Sequence, residues 1–196
     1  MITAAQVAEL REKTGLGMME CKNALVEADG DETKAIEILK KKGLAKVAKR
    51  ADRETTAGVI ESYIHANGKV GVMVEVLAET DFVAKNDEFK AFAHDVALQI
   101  AAMKPKFIEP SEIPADELAK IKEDYKSEMA ISGKPADIVY KIVEGKLGKY
   151  YSEVCLLNQP FVKDDSKTIG DLLTDLVAKI GEKIVVARFS RFEIGE

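Results

Sequence analysis

Between Lys69 and Ile100 the hydrophobic pattern changes its period, and no other stretch of the chain restricts the fold so sharply. Val70, Val72, Val74 and Val76 alternate with Gly71, Met73, Glu75 and Leu77, which is the period of a strand. Downstream, Phe89, Phe92, Ala93, Val96, Ala97 and Ile100 recur at helical spacing, with Asn86 or Asp87 placed to cap the helix start. The segment Thr80-Asp81-Phe82-Val83-Ala84-Lys85-Asn86 joins the two patterns and sets a carboxylate beside a large aromatic. Two readings of it stand together. In one, Asp81 caps the following helix and Phe82 packs into the core as a staple. In the other, the junction is exposed and Phe82 stands ready for insertion into another molecule.

Around this junction the rest of the chain reads as an α+β protein. Thr3 and Gln6 form a capping-box pair ahead of Val7 and Leu10. Met18, Cys21, Leu25 and Ala28 make a second apolar stripe. Asp31 starts a third with Ala35, Ile38 and Leu39, and Gly43 sits where helices commonly end. Residues 1–43 therefore form a three-helix module, followed by a basic linker over residues 44–56, read as partly helical. The basic run begins at Lys40 and reaches Arg53 with Asp52 as its single acid, yet no aromatic is interleaved for base stacking. Such a run is either an RNA contact or, more often, a solvated helix face.

Residues 57–196 read as the core. Gly58 to Ile64 and Lys69 to Leu77 are strands joined through Asn67-Gly68, the signal of an antiparallel hairpin. A helical hairpin follows over residues 114–149, turning at Ser132-Gly133-Lys134-Pro135. Leu172, Leu173, Leu176, Val177 and Ile180 mark another helix, stopped by Gly181. Ile184 to Ile194 is a last strand whose alternation slips around Phe189 to Arg191. The expectation is a small antiparallel sheet flanked by helices and a helical hairpin. Gln159-Pro160-Phe161-Val162 is either a turn displaying an aromatic or a loop folding back on the core.

Several function classes recede on composition and motif. The chain is 196 residues long, 46% hydrophobic and 32% charged, which suits a packed domain. A net charge of −5 argues against general nucleic-acid binding. No apolar run approaches the roughly 20 residues of a membrane helix, and the start lacks the pattern of a signal peptide, so the expected location is the cytoplasm. Cys21 and Cys155 lie far apart without metal-ligand spacing, and Cys21 reads as a small core residue. No phosphate-cradling Gly-x-x-x-x-Gly-Lys-Ser/Thr loop occurs, and neither His65 nor His94 sits in a catalytic pattern. No enzyme site, cofactor or metal is expected.

Four separated motifs carry a resemblance. They are Leu10 to Met19, Thr80 to Asn86, Gln159 to Val162, and Arg188-Phe189-Ser190-Arg191-Phe192-Glu193. In this order they resemble a short form of translation elongation factor Ts, the guanine-nucleotide exchange factor of elongation factor Tu. The resemblance implies that the first module has a ubiquitin-associated-like (UBA-like) fold. It also implies that Thr80, Asp81, Phe82 and Val83 insert near the magnesium site of elongation factor Tu, with Phe82 as a wedge and Asp81 as its polar partner. Met18 and Met19 would touch the partner's nucleotide domain. Met18 is in phase with Cys21 and Leu25, which favours the core, so Met19 is the better contact. Any nucleotide would be held by the partner. Resemblance to other short forms implies a homodimer and a two-plus-two assembly. An adaptor using the first module alone, and an RNA-binding protein using the basic run, remain the competing classes.

Overall fold

The computed structural model describes residues 2–130 and 136–195. In chain order these contain helices α1 (Ala4–Thr14), α2 (Met18–Glu27) and α3 (Glu32–Lys49), and strands β1 (Ala57–Ile64) and β2 (Val70–Ala78). Helices α4 (Asp81–Ala84), α5 (Asp87–Met103), α6 (Ala115–Ala130) and α7 (Ala136–Val154) come next. Strands β3 (Pro160–Phe161) and β4 (Asp164–Thr168), helix α8 (Ile169–Ile180) and strand β5 (Ile184–Glu193) complete the order. This is the expected α+β class, with an antiparallel three-stranded sheet in the order β1-β2-β5 and a two-stranded one of β3 and β4. The chain divides into two compact units, one of residues 2–60, 75–93 and 171–186, the other of residues 61–74, 94–130, 136–170 and 187–195.

In the first unit, local signals start the helices as expected. Thr3 Oγ1 accepts from the Gln6 N–H at 3.3 Å while Gln6 Oε1 accepts from the Thr3 N–H at 2.9 Å, closing the capping box. Asp31 Oδ1 caps α3 by accepting from the Lys34 N–H at 3.1 Å. Val7, Leu10, Cys21, Ala24, Leu25, Ala28, Ala35 and Leu39 then close a core of their own. Gly43, expected near a helix end, lies inside α3 instead. A Cβ there would make ordinary contact with Thr174 Cγ2 at 3.4 Å and Ala178 Cβ at 3.6 Å, so α3 faces α8 at this point without needing the glycine. The helix consequently carries Lys46 and Lys49 in its last turn, where cations oppose the negative end of the dipole.

The hairpin between β1 and β2 is closed by the His65 N–H donating to Val70 O at 2.9 Å, and Gly68 supplies the positive φ of 67° that the turn requires. Along β2, Val72, Val74, Val76 and Ala78 are buried, as the alternation implies, and the α5 stripe from Phe89 to Ile100 is buried throughout. The expected slip in β5 falls slightly earlier than Phe189. Ile184 and Val186 are buried, but beyond them Arg188, Ser190 and Phe192 are exposed, so the inward side changes parity just after Val186.

In the second unit, α6 and α7 are tied by the Tyr150 hydroxyl donating to Glu117 Oε1 at 2.9 Å and by an ion pair of Lys146 with Glu128. The expected turn at Ser132-Gly133-Lys134-Pro135 lies outside the described residues. Burial, then Glu112 and Glu109, pushes the Cys155 thiol up to about 11, so it stays protonated and unreactive at neutral pH. The β3–β4 hairpin has no counterpart in the sequence expectation. Two fully buried glutamines hold it: Gln99 Nε2 donates to Gln159 Oε1 at 3.2 Å and to Pro160 O at 3.0 Å, and Gln99 Oε1 accepts from the Val162 N–H at 2.9 Å. Phe161 is buried, so of the two readings of Gln159 to Val162 the one that folds back on the core holds.

Glu193, at the end of β5, pairs with Lys104 and accepts from Arg191 Nη2 at 2.6 Å. These two contacts, that of Lys104 first, lower its carboxyl from 4.5 to about 2. A depressed folded-state value contributes stability that is present above the unfolded value and lost as pH falls through the folded one. Between pH 4.5 and about 2 the unfolding free energy should therefore fall, and Glu193→Gln should flatten part of that slope. Urea unfolding at stepped pH measures it, and identical slopes for the two proteins would contradict the assignment.

Candidate partner-binding site

Two caps in quick succession shape the segment after β2. Thr80 has extended backbone, φ −132° and ψ 156°, and its Oγ1 accepts from the Val83 N–H at 3.5 Å to start α4. The single turn is held by Ala84 and Lys85 N–H groups donating to Thr80 O at 3.2 Å and Asp81 O at 3.1 Å. Asn86 Oδ1 then accepts from Glu88 N–H at 2.8 Å and Phe89 N–H at 3.4 Å, which starts α5. Asn86 is thus the α5 cap.

The break between α4 and α5 decides where the two phenylalanines point. Phe82 and Phe89 are seven residues apart and would share a face of one continuous helix. Because the helix is interrupted, Phe89 is 0% exposed while Phe82 is 88% exposed. Asp81 is exposed beside it, and Thr80 is exposed at the cap. Val83 is turned the other way, only 8% exposed, so it anchors the turn from inside. Of the four residues expected here, three face solvent and the fourth fixes them to the core.

The turn has a polar support behind it that no local pattern announced. Thr80 donates from its N–H to Glu182 Oε2 at 3.1 Å and from its hydroxyl to Glu182 Oε1 at 2.8 Å. Next to it, Glu79 Oε1 accepts from the Lys183 N–H at 2.6 Å, and both Glu79 oxygens accept from Arg53 Nη1 at 3.3 and 3.1 Å. The Lys183 N–H, with help from Arg53, holds the Glu79 carboxyl below its ordinary value. Lys183 Nζ donates to Ala51 O at 2.5 Å and Arg53 O at 2.8 Å.

Met18 and Met19 open α2 in the same unit, after Gly17 as the extended N-cap. They are 50% and 62% exposed. Met18 therefore departs from the core position that its phase with Cys21 and Leu25 suggested. At the first position of a helix no preceding turn covers a side chain, so phase alone does not bury it. Val26 and Leu44 add further exposed apolar surface to this unit, which the sequence reading did not single out.

Known proteins match this chain along its whole length. The family model described as Elongation factor TS matches residues 20–196. Similar proteins named Elongation factor Ts include one from Carboxydothermus hydrogenoformans, 56% identical over 196 residues, covering 100% of this chain and 90% of the relative. Another, from Fervidobacterium nodosum, is 55% identical over 195 residues, covering 100% of this chain and 99% of the relative. A third, from Desulfosudis oleivorans, is also 55% identical, with 100% and 98% covered. An identity above half, sustained from end to end, shows that the chain belongs to the elongation factor Ts family.

Proposed function

We propose that this protein binds elongation factor Tu carrying GDP and promotes exchange of GDP for GTP by inserting the turn Thr80–Val83 near the partner's magnesium site. The observation that carries the reading is Phe82, a phenylalanine 88% exposed on a doubly capped turn. A folded chain gains nothing for itself by leaving such a side chain in water, since its burial is worth about 1.5–3 kcal/mol. Phe82 is the wedge between partner helices, Asp81 is its polar companion, and Val83 holds the turn from the inside. Displacing the groups that keep the ion's water shell in place weakens the partner's hold on the phosphates. No bond is made or broken, so the protein is not an enzyme. Met18 and Met19 give a second contact, on the UBA-like module of residues 1–43, and residues 57–196 form the core that carries the wedge. The basic stretch of residues 44–56, whose first part is the end of α3, joins them. Acting in translation, the protein works in the cytoplasm.

The coupling is reciprocal: if the protein weakens GDP binding, GDP weakens the protein's binding by the same free energy. Affinity for nucleotide-free elongation factor Tu, measured by calorimetry with and without magnesium and GDP, tests this. Tight binding that GDP relaxes is expected. Binding indifferent to GDP, or none, would contradict the reading. The RNA alternative loses ground because Lys42 pairs with Glu27 at 2.6 Å, Lys46 with Glu20, and Arg53 with Glu79, which engages three of the seven cations of the basic run.

A homodimer, and with it a two-plus-two complex, is part of the same proposal. Ile64, Met73, Phe192 and Ile194 are exposed on or beside the three-stranded sheet, an apolar face suited to packing on its own copy. Light scattering at micromolar concentration should give the mass of two chains for the wild type. Phe192→Asp, which would bury an unpaired carboxylate, should give the mass of one. A wild-type monomer would contradict the dimer.

A further inference from the structure

We infer that Glu182 is a positioning residue for the exchange turn, holding Thr80 so that Phe82 is presented in one orientation before any partner arrives; the inference rests on the function proposed above. Glu182 lies in the connection between α8 and β5, 102 positions downstream of Thr80, yet one carboxylate takes both of the threonine's donors. The N–H reaches Oε2 at 3.1 Å and the hydroxyl reaches Oε1 at 2.8 Å. Committing the hydroxyl hydrogen to Glu182 leaves its lone pairs aimed at the Val83 N–H, the bond that starts α4. Glu182 thereby orients the cap, and the cap orients the turn.

The neighbouring residues repeat the arrangement in reverse. Glu79 takes the N–H of Lys183 just as Glu182 takes the N–H of Thr80, so residues 79–80 and 182–183 exchange carboxylate to backbone bonds in both directions. Charge-assisted bonds of this kind are among the stronger ones available to a protein. A crossed pair fixes position and twist, which a single bond would not. All four residues, with Arg53, belong to the first unit, so the clamp and the turn it holds form one body. The consequence for function is preorganisation. A loosened turn populates the presenting conformation only part of the time, and apparent affinity falls by that fraction while the bound complex is unchanged.

The test compares wild type, Glu182→Ala, Glu182→Gln and Phe82→Ala. It measures release of a fluorescent GDP analogue from elongation factor Tu across protein concentration, together with melting temperature and amide hydrogen exchange of residues 80–86 in the free protein. For Glu182→Ala the half-saturating concentration should rise about tenfold, with the maximal release rate retained and the Thr80 and Val83 amides exchanging faster. Glu182→Gln, which keeps an acceptor oxygen, should recover part of the loss. A half-saturating concentration equal to that of the wild type, while Phe82→Ala behaves as proposed, overturns the inference and leaves the exchange function standing. A raised concentration without faster amide exchange also overturns it, because Glu182 would then be touching the partner directly. If the wild type accelerates no release, the proposed function fails, and unchanged amide exchange in Glu182→Ala would separately remove the clamp.

Discussion

Replacing Phe89 by alanine should cost about 3–5 kcal/mol of folding stability, the range for deleting a fully buried aromatic. Phe89 is completely buried and stands first among the largest fully buried side chains. It sits in the first turn of α5, immediately after the Asn86 cap, so little can relax into the space it leaves. For a domain of this size each kcal/mol moves the melting temperature by roughly 2–4 °C, which makes the expected drop about 6–20 °C. Urea unfolding measures the free energy directly. A loss under about 1 kcal/mol would mean that Phe89 is not a central core residue.

The same substitution seven residues earlier should do the opposite. Phe82→Ala removes a side chain that touches almost nothing in the free chain, so stability should change by no more than about 0.5 kcal/mol. Its effect should appear only with the partner. Aromatic anchors at interface centres contribute about 2–4 kcal/mol when truncated, which corresponds to roughly 30-fold to 1000-fold in a rate or an equilibrium. If Phe82 acts as the wedge, that loss falls on the maximal rate of GDP release. In this it differs from a loss of preorganisation, which raises the concentration needed and spares the maximum. Calorimetric melting of the two alanine variants side by side checks the contrast. A melting temperature for Phe82→Ala as low as that for Phe89→Ala would place both residues in the core.

These two residues also mark how far the sequence alone reaches. The change from period 2 to helical period located the junction, and Asn86 was legible as a cap of α5; α4, however, is capped by Thr80 and not by Asp81, which is its first helical residue. Whether Phe82 joins Phe89 in the core was not legible, because it depends on α4 ending at Ala84 and not running on into α5. The hairpin of β1 and β2 and the stripe of α5 were readable because each signal is local and repeated. Glu182 was not readable at all: its role exists only through a contact across 102 positions, and a lone glutamate after a helix-ending glycine carries no pattern. Gly43 looked like a stop because helices often end in glycine, whereas here it lies within α3, which runs on to Lys49, and faces Thr174 and Ala178. The β3–β4 hairpin was missed for a similar reason, since its anchor is a buried pair of glutamines on distant segments, β3 is only two residues long and β4 is polar.

The most direct measurement is the maximal rate of fluorescent GDP release from elongation factor Tu, taken by stopped flow in millimolar magnesium with saturating wild type and with saturating Phe82→Ala. The wild type should accelerate release strongly. The variant, melting normally, should lose roughly 30-fold or more of that maximal rate. Equal acceleration by both proteins would show that the exposed turn is not what loosens the nucleotide, and no acceleration by the wild type would remove the exchange function itself.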